Sequence, residues 1–397
     1  MFASCLETAV MNSLLKPTLY VFLMFGSLAT IDSLKPAASR VAQPARKAVP
    51  KIQVAVLLDV SNSMDGLIEQ AKAQLWNMVS VMGKAQCDNV TPAIEIALYE
   101  YGRPANDVKT GYIKQINGFT GDLDQVSQNL FQLKTNGGDE YCGQVMYTSL
   151  TGLDWDTAAS SYKVIFIAGN EDFLQGEVSF TKACTEAKKK GVIVNTIYCG
   201  DKMEGIREHW NLGSECGNGS FTHINQDSKA DDIPTPYDST LFVLNDRLNN
   251  TYIGYGAAGA YNISKQARVD QLNSTMNRSV AAKRVAVKGN NKLYKNSSWD
   301  LVDAMNDDST YIAKVDLKTL PDSLKNKSRA QLLQIVQTKQ AERSAVQQQI
   351  ETLNTQRDAY IATARAKAAT NNQTQTLETE IEKIIREQAT RFNMIIR

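Results

Sequence analysis

The chain has 397 residues, about two or three domains' worth at ~150 residues each, and hydrophobic residues make up 43% of it, too many for a wholly disordered protein. Its 43 lysines and arginines balance 42 aspartates and glutamates, so the overall charge predicts no nucleic-acid partner. The two histidines, His209 and His223, disfavour multi-histidine zinc sites and histidine-based triads, and none of the six cysteines belongs to a Cys-x-x-Cys pair.

The N-terminus carries an uncharged, mostly apolar stretch at residues 17–31. The stretch is shorter than the ~20 residues that span a bilayer, and the triplet Ser27-Leu28-Ala29 suits signal-peptide cleavage near its end. We therefore predict that residues 1–31 are a signal peptide, with Met11 as an alternative start, or a short uncleaved membrane anchor. Residues 32–50 then form a linker, and the mature protein is periplasmic, secreted or exposed on the cell surface.

Cysteine usage leaves the redox state open. Cleavage of the predicted signal would remove Cys5 and leave five cysteines. An odd number in an exported protein allows one or two disulfides and leaves at least one free thiol. The pairing cannot be derived from the sequence, and buried free cysteines are the alternative interpretation.

Apolar strands alternate with amphipathic helices between residues 51 and 225. Residues 52–58 form a nearly unbroken apolar run, typical of a buried central strand, and apolar side chains three and four positions apart predict a helix over residues 64–82. Further strands are predicted at residues 93–99, 111–116, 163–168, 192–198 and 220–224. Further helices are predicted at residues 122–133, 144–153, 178–190 and 205–212. The alternation predicts an α/β fold of the Rossmann-like, doubly wound type, with a mostly parallel sheet covered on both faces.

Ligand sites of such folds lie beyond the carboxyl ends of the strands. The first predicted strand is followed there by Asp59-Val60-Ser61-Asn62-Ser63, a D-x-S-x-S sequence with one carboxylate and two hydroxyls on a tight strand-to-helix turn. Carboxylate and hydroxyl oxygens suit Mg²⁺, which prefers about six oxygen ligands. Helix capping by Ser61 or Ser63 at a metal-free turn is the alternative interpretation.

Residues 51–225 resemble the von Willebrand factor A (VWA) family, whose metal-ion-dependent adhesion site (MIDAS) begins with a D-x-S-x-S loop, matched by Asp59, Ser61 and Ser63. A second family loop often reads Gly-Gly-Thr, and here Gly137-Gly138-Asp139 offers Asp139 in that place. A third loop, after the fourth strand, usually supplies an aspartate, and Asn170 occupies its position. The resemblance therefore implies a metal site formed by Asp59, Ser61, Ser63, Asp139 and Asn170.

The resemblance also implies a function. In the family, a divalent cation, here Mg²⁺ or else Mn²⁺ or Ca²⁺, keeps one position open for an acidic side chain of a partner protein. We therefore expect a non-enzymatic binding or adhesion-type protein. No nucleophile–base pair in the sequence favours an enzyme, and His209 is interpreted as structural. A metal-free scaffold assembled through its C-terminal helices, and a cytosolic partner of an ATPase motor, are the alternatives.

The C-terminal half is predicted to be helical. Residues 226–327 form a connecting region in which helical spacing recurs at residues 241–248 and 262–287. Residues 328–397 contain no glycine or proline and carry a short heptad seam, which resumes beyond Asn371-Asn372. The seam comprises Val346, Ile350, Leu353, Arg357 and Tyr360. We predict a helical hairpin or a coiled coil there, through which the protein self-associates.

Overall fold

A mostly parallel sheet forms the centre of the N-terminal half. The structure is a computed structural model, which describes residues 49–224, 232–368 and 377–396 and contains eight strands within those ranges. The strands are β1 (Lys51–Asp59), β2 (Ala85–Cys87), β3 (Ala93–Tyr101), β4 (Lys114–Thr120), β5 (Tyr162–Gly169), β6 (Ile193–Cys199), β7 (Phe221–Ile224) and β8 (Met394–Ile396). The predicted signal, Cys5, the linker up to residue 48 and the Asn371-Asn372 interruption lie outside the described residues.

Six of these strands form the main sheet, in the order β4-β3-β1-β5-β6-β7. Only β4 pairs antiparallel with its neighbour, and β1 lies between β3 and β5, parallel to both. The chain builds the sheet outward from β1, first toward β4 and then toward β7, so the strand order reverses at β1. This arrangement confirms the predicted doubly wound α/β fold and makes the carboxyl end of β1 the expected ligand position.

Fourteen α-helices lie within the described residues. They are α1 (Asp65–Met82), α2 (Leu123–Gln132), α3 (Cys142–Gly152), α4 (Phe180–Lys190), α5 (Lys202–Arg207), α6 (Trp210–Cys216), α7 (Asp238–Asn249), α8 (Gly259–Met276), α9 (Arg278–Gly289), α10 (Leu301–Asp307), α11 (Tyr311–Lys314), α12 (Asp322–Lys325), α13 (Arg329–Ala368) and α14 (Leu377–Ala389). Side-chain caps begin several of them: Asp122 accepts a hydrogen bond from the Gln125 N–H over 3.0 Å at the start of α2.

Helices cover both faces of the sheet, because successive side chains of a strand point to opposite faces. In β1, Ile52 and Val54 pack into the core beneath α1, α2 and α14, whereas Ala55 and Leu57 face α3, α4 and α6. The core beneath α1 and α2 also contains five apolar side chains of α14, namely Leu377, Ile381, Ile384, Ile385 and Ala389. A segment close to the C-terminus therefore completes the core of the N-terminal sheet.

Three predicted elements differ from the structure for local backbone reasons. β4 begins at Lys114 rather than at residue 111, since Tyr112 adopts a left-handed conformation with φ 59°. The helix predicted at residues 205–212 is divided into α5 and α6 by His209, which is also left-handed, with φ 64°. The helix predicted at residues 262–287 is divided into α8 and α9 by the extended Asn277, whose side chain caps the Val280 N–H over 2.8 Å.

The heptad seam of α13 faces other helices of the same chain. Val346 and Ile350 are buried against α7 and α9, and Arg357 is buried with its Nε 2.9 Å from Asp238 Oδ1. Tyr360, the last seam residue, is 44% exposed. The helical prediction for this region is confirmed by α13 and α14, but a coiled coil between copies would need another face of α13. Self-association stays a prediction.

The sheet and the helical half belong to one compact unit in the described residues. Polar contacts join them: Lys265 Nζ lies 2.6 Å from Asp122 Oδ2, and Trp76 Nε1 donates to Asn273 Oδ1 over 2.7 Å. The domain boundaries at residues 225 and 327 stay predictions. In the three described ranges, no helix combines the length and the apolar character needed to cross a membrane.

The structure resolves part of the cysteine pairing. Cys184 of α4 and Cys216 of α6 form a disulfide. Cys87, Cys142 and Cys199 are buried free thiols. Among the described cysteines, two therefore form a disulfide and three are buried free thiols, so each interpretation of the sequence holds for some of them.

Candidate metal site at the carboxyl end of β1

Asp59 is the last residue of β1, and its side chain is fully buried at the centre of the sheet edge. The Ser61 N–H donates to Asp59 Oδ1 over 2.7 Å. The Val60 N–H donates to the Tyr101 carbonyl of β3 over 2.9 Å. These bonds turn the chain from strand toward helix immediately after the carboxylate, so the side chains that follow gather around it.

Ser61, Ser63 and Asn170 extend this arrangement toward solvent. Ser61 Oγ lies 3.4 Å from Ser63 Oγ, and Asn170 Nδ2 donates to Ser63 Oγ over 3.1 Å. Asn170 directly follows β5, the strand beside β1. Ser61 is buried, whereas Ser63 is exposed. Four of the five predicted ligands therefore lie in one hydrogen-bonded row that runs from the buried Asp59 to the surface.

The second loop lies beside this row, but Asp139 is not hydrogen-bonded to it in the described residues. The Asn136 N–H donates to the Val60 carbonyl over 2.8 Å, which holds the loop next to the turn after β1. Asp139 is exposed, and its Oδ2 accepts a hydrogen bond from the Tyr141 hydroxyl over 3.3 Å. Its role as a ligand stays a prediction.

Glu140, the next residue, is turned inward and is only 6% exposed. A Cβ atom added to Gly102 would lie 2.9 Å from both Glu140 Cγ and Asp59 Oδ1, so both acidic side chains pack against that glycine. The sequence does not identify Glu140, because spacing cannot tell which of two adjacent carboxylates after Gly-Gly turns inward.

Two glycines keep the backbone close around the Asp59 carboxylate. Gly102 has φ 82°, a left-handed conformation that favours glycine. At Gly169, the last residue of β5, a Cβ atom would lie 3.1 Å from Asp59 Oδ2 and 2.7 Å from the Tyr101 hydroxyl. A side chain at either position would enter the space beside the carboxylate.

The two buried carboxyl groups have raised pKa values. Burial raises the pKa of Asp59 to about 7, against hydrogen bonds from Ser61, and the negative charge of Glu171 adds to the shift. Burial raises the pKa of Glu140 to about 8, and the charges of Asp59 and Glu171 raise it further. Burial is thus the main cause of both shifts, and negative charges nearby add to it.

The donor set fits a hard divalent cation. Asp59 Oδ2 is buried and has no hydrogen-bond partner among the described residues. The row and Glu140 beside it offer oxygen atoms of two hydroxyls, one amide and two carboxyl groups, and Mg²⁺ and Ca²⁺ prefer such ligands. In residues 49–224, 232–368 and 377–396, no three His, Cys, Asp or Glu side chains group closely enough to hold a metal ion. A cation here would therefore depend on the serine and amide oxygens as well.

Comparisons with known proteins give structural likenesses only. No protein-family model matches the chain, and no curated protein matches it. Among solved structures, the chain resembles the conserved hypothetical protein BatB from Bacteroides thetaiotaomicron, with 13% identity, 44% of this chain and 90% of that chain covered, and a TM-score of 0.33. It also resembles a von Willebrand factor type A structure from Catenulispora acidiphila, with 12% identity, 44% and 39% covered, and a TM-score of 0.33.

A third structural likeness is to proximal thread matrix protein 1 from the mussel byssus, solved with a zinc-occupied MIDAS motif. The identity is 13%, the match covers 45% of this chain and 43% of that chain, and the TM-score is 0.34. The matched part spans less than half of the mussel and Catenulispora proteins. Interpretation of the site therefore rests on its own residues.

Proposed function

We propose that this protein is a non-enzymatic binding protein that captures a partner protein through a divalent cation held at the carboxyl end of β1. The observation that carries the proposal is the buried Asp59 carboxyl group, whose Oδ2 has no hydrogen-bond partner in the described residues. Burial of an unpaired carboxylate is costly, and the buried Glu140 beside it adds to that cost. A divalent cation would be the largest local charge in the site and would offset it.

Oxygen atoms alone would hold the cation, which suits Mg²⁺, with Mn²⁺ or Ca²⁺ as alternatives. The residues that would hold it are Asp59, Ser61, Ser63 and Asn170, together with Asp139 or Glu140. When bound, the cation supplies an attraction for an external carboxylate, as the VWA resemblance implies. Ser63 and Asn170 form the solvent side of the row, so an acidic side chain of a partner protein would approach there.

The thiols near the site support a non-enzymatic role. Cys142 lies beneath the site with its Sγ 3.8 Å from the Tyr101 hydroxyl, and burial raises the pKa of its thiol well above the ordinary value. Burial and the charge of Asp59 likewise raise the pKa of Cys199. Because the thiolate is the nucleophilic form, both groups are held in the unreactive state.

An extracytoplasmic location is part of the proposal. The Cys184–Cys216 disulfide supports it, because disulfides persist in oxidising compartments. The predicted signal at residues 1–31 is consistent with it. The alternative scaffold role has less support, since the seam residues Val346 and Ile350 are already buried within the chain.

Metal binding is tested by calorimetric titration and thermal unfolding of the full chain with Mg²⁺, Mn²⁺ and Ca²⁺ after treatment with EDTA. We expect the wild type to gain about 2.7 kcal/mol in unfolding free energy when Mg²⁺ is present at 100 times its Kd. Asp59→Ala should gain nothing. The matched control is Asp154→Ala, which removes an exposed carboxylate from the loop that precedes β5. Equal stabilisation of Asp59→Ala and wild type would contradict the proposed site.

Partner capture is tested by pull-down from an envelope extract in Mg²⁺ or in EDTA, with the wild type, Asp59→Ala and Asp154→Ala as baits. We expect a protein that the wild type and Asp154→Ala retain in Mg²⁺ and release in EDTA, and that Asp59→Ala does not retain. Methyl esterification of the carboxyl groups of the retained protein should abolish its binding. A retained set that neither EDTA nor Asp59→Ala changes would count against metal-dependent capture.

A further inference from the structure

Three consecutive residues after α5 are bonded to three consecutive residues of the loop that follows β5. The Phe173 N–H donates to the Glu208 carbonyl over 2.9 Å. His209 Nδ1 lies 3.0 Å from Asp172 Oδ1. Trp210 Nε1 donates to the Glu171 carbonyl over 2.8 Å. Residues 208–210 thus hold residues 171–173 through one main-chain and two side-chain contacts.

Trp210 makes this attachment rigid. Its side chain is fully buried, with ring centroids 5.0 Å from Phe173 and 5.9 Å from Tyr198. Its carbonyl accepts a hydrogen bond from Thr196 Oγ1 of β6 over 2.8 Å. Residues 208–210 are therefore fixed to the sheet, and the loop they hold is fixed with them.

His209 is the unusual member of the segment. Its φ of 64° lies in the left-handed region, which costs a non-glycine residue about 1 kcal/mol or more. Its side chain is 38% exposed, so burial of the ring does little to offset that cost. The ring contacts Asp172, whose Oδ1 also accepts the Leu174 N–H over 3.0 Å. The left-handed backbone directs the imidazole at the loop.

The same loop reaches the candidate metal site at its other end. Asn170 Nδ2 donates to Ser63 Oγ over 3.1 Å, and the charge of Glu171 acts on Asp59. Only Glu171 separates the ligand candidate Asn170 from Asp172, which His209 contacts. A displacement of Asp172 would therefore be transmitted to the Asn170 amide.

We infer that His209 is a positioning residue for the cation site: its hydrogen bond to Asp172 holds the loop after β5 so that Asn170 faces Ser63. The inference rests on the proposed function in so far as Asn170 contributes to cation binding. The effect of His209 on the loop itself is a property of the metal-free protein and can be measured separately.

The test compares His209→Gly with His209→Asn in the full chain. Glycine accepts the left-handed backbone and removes the contact with Asp172, while the contacts of Glu208 and Trp210 with the loop remain. The fold should therefore be retained, and the loop should loosen only around Asp172. Asparagine also tolerates that backbone, and its Nδ2 occupies the same branch position as the imidazole Nδ1, so it can keep the donor. His223→Gln, at the second histidine of the chain, is the matched control.

We expect His209→Gly to raise the Kd for Mg²⁺ about tenfold, the effect of one hydrogen bond to a charged group. His209→Asn should restore most of the affinity, and His223→Gln should equal the wild type. In metal-free protein, hydrogen–deuterium exchange of the Leu174 amide, which donates to Asp172 Oδ1, should accelerate in His209→Gly only. The melting temperature without metal should stay close to that of the wild type, which separates positioning from general stability.

Wild-type Mg²⁺ affinity and wild-type amide exchange in His209→Gly would overturn the inference. So would equal losses in His209→Gly and His209→Asn, or a lower melting temperature with unchanged Kd and exchange, which would indicate a structural role alone. If the wild type itself binds none of the three cations, the proposed function fails. The exchange comparison would still decide whether His209 holds the loop.

Discussion

Both halves of the molecule bury charged side chains, but they neutralise them differently. In the helical half, Arg284 is 1% exposed and lies 2.7 Å from Asp124 Oδ1 and 3.0 Å from Asp270 Oδ1. At the carboxyl end of β1, Asp59 and Glu140 are buried together, and the charges that act on them are negative. The first cluster contains buried ion pairs, whereas the charges that act most strongly on the second are all negative.

The pKa values of two buried aspartates, Asp270 and Asp59, show the same difference between the two clusters. Burial alone would raise the pKa of Asp270, but Lys288 and Arg284 hold it well below its ordinary value. Burial raises the pKa of Asp59 to about 7, since no such partner opposes it. An internally paired cluster serves to hold helices together, whereas an unpaired one is suited to an external ion. The contrast is the main physical reason to assign function to the sheet edge.

The largest expected loss of stability comes from removing Arg284 from the paired cluster that it forms with Asp124 and Asp270. Arg284→Met should lower the unfolding free energy by about 4 kcal/mol, because it leaves the buried Asp124 without its ion-pair partner and Asp270 with Lys288 alone. It should also loosen the contact between the halves, since the guanidinium carbon lies 4.4 Å from the Trp76 ring centroid. Urea unfolding followed by tryptophan fluorescence measures the change.

The matched control for Arg284→Met is Arg278→Met on the same helix, where the arginine is exposed. That variant should stay within about 0.5 kcal/mol of the wild type. Equal losses in the two variants would mean that the paired cluster does not contribute as its geometry indicates. Asp59→Asn should, by contrast, leave the metal-free protein at least as stable as the wild type.

The second prediction tests whether the sheet depends on the C-terminal segment. Ile385 of α14 is fully buried in the core beneath the sheet, so Ile385→Ala should cost about 3 kcal/mol. Ile395→Ala on β8 is the control, because Ile395 is 61% exposed and its truncation should cost less than about 0.5 kcal/mol. Urea unfolding measures both. A cost for Ile385→Ala no greater than that for Ile395→Ala would show that α14 is not part of the sheet core.

Much of the sheet could be predicted from the sequence, because its strands and helices carry local hydrophobic periods. The buried run of β1 and the apolar stripe of α1 belong to this class. Two kinds of feature escape such patterns. The left-handed His209 interrupts a helical pattern without a neighbouring glycine or proline, and Tyr112 continues the left-handed turn that begins at Gly111. The packing of α14 on α1 and the pairing of β8 with β2 join segments from opposite ends of the described chain.

In the candidate site, too, some residues can be predicted from the sequence and others cannot. Asp59, Ser61 and Ser63 are close in sequence, so their gathering follows from one strand-to-helix turn, and Asn170 follows from the position of β5 beside β1. The inward turn of Glu140 depends on how the second loop packs against Gly102. The same limit applies to α13. Its heptad spacing predicts a buried stripe but does not identify α7 and α9 as the helices that cover it.

The smallest expected effect is a pH dependence confined to the unpaired cluster. Unfolded, Asp59 and Glu140 would titrate near their ordinary pKa values of about 4. Folded and without metal, they titrate at about 7 and about 8. The folded state therefore binds more protons between about pH 4 and pH 8, and the unfolding free energy should decrease as pH rises through that window. We expect a decrease of at least about 1.4 kcal/mol, the equivalent of one pKa unit, in urea unfolding at pH 5 and pH 8 with EDTA.

Asp59→Asn isolates this contribution, because every other titrating group is common to the two proteins. The variant should lose less stability than the wild type between pH 5 and pH 8, while Asp154→Asn should behave as the wild type. Saturating Mg²⁺ should also reduce the wild-type decrease, since a bound cation favours the ionised carboxyl groups. Identical pH profiles for wild type and Asp59→Asn in EDTA would mean that the Asp59 carboxyl is not the unpaired buried group described above. The contrast with the paired cluster around Arg284 would then lose its basis.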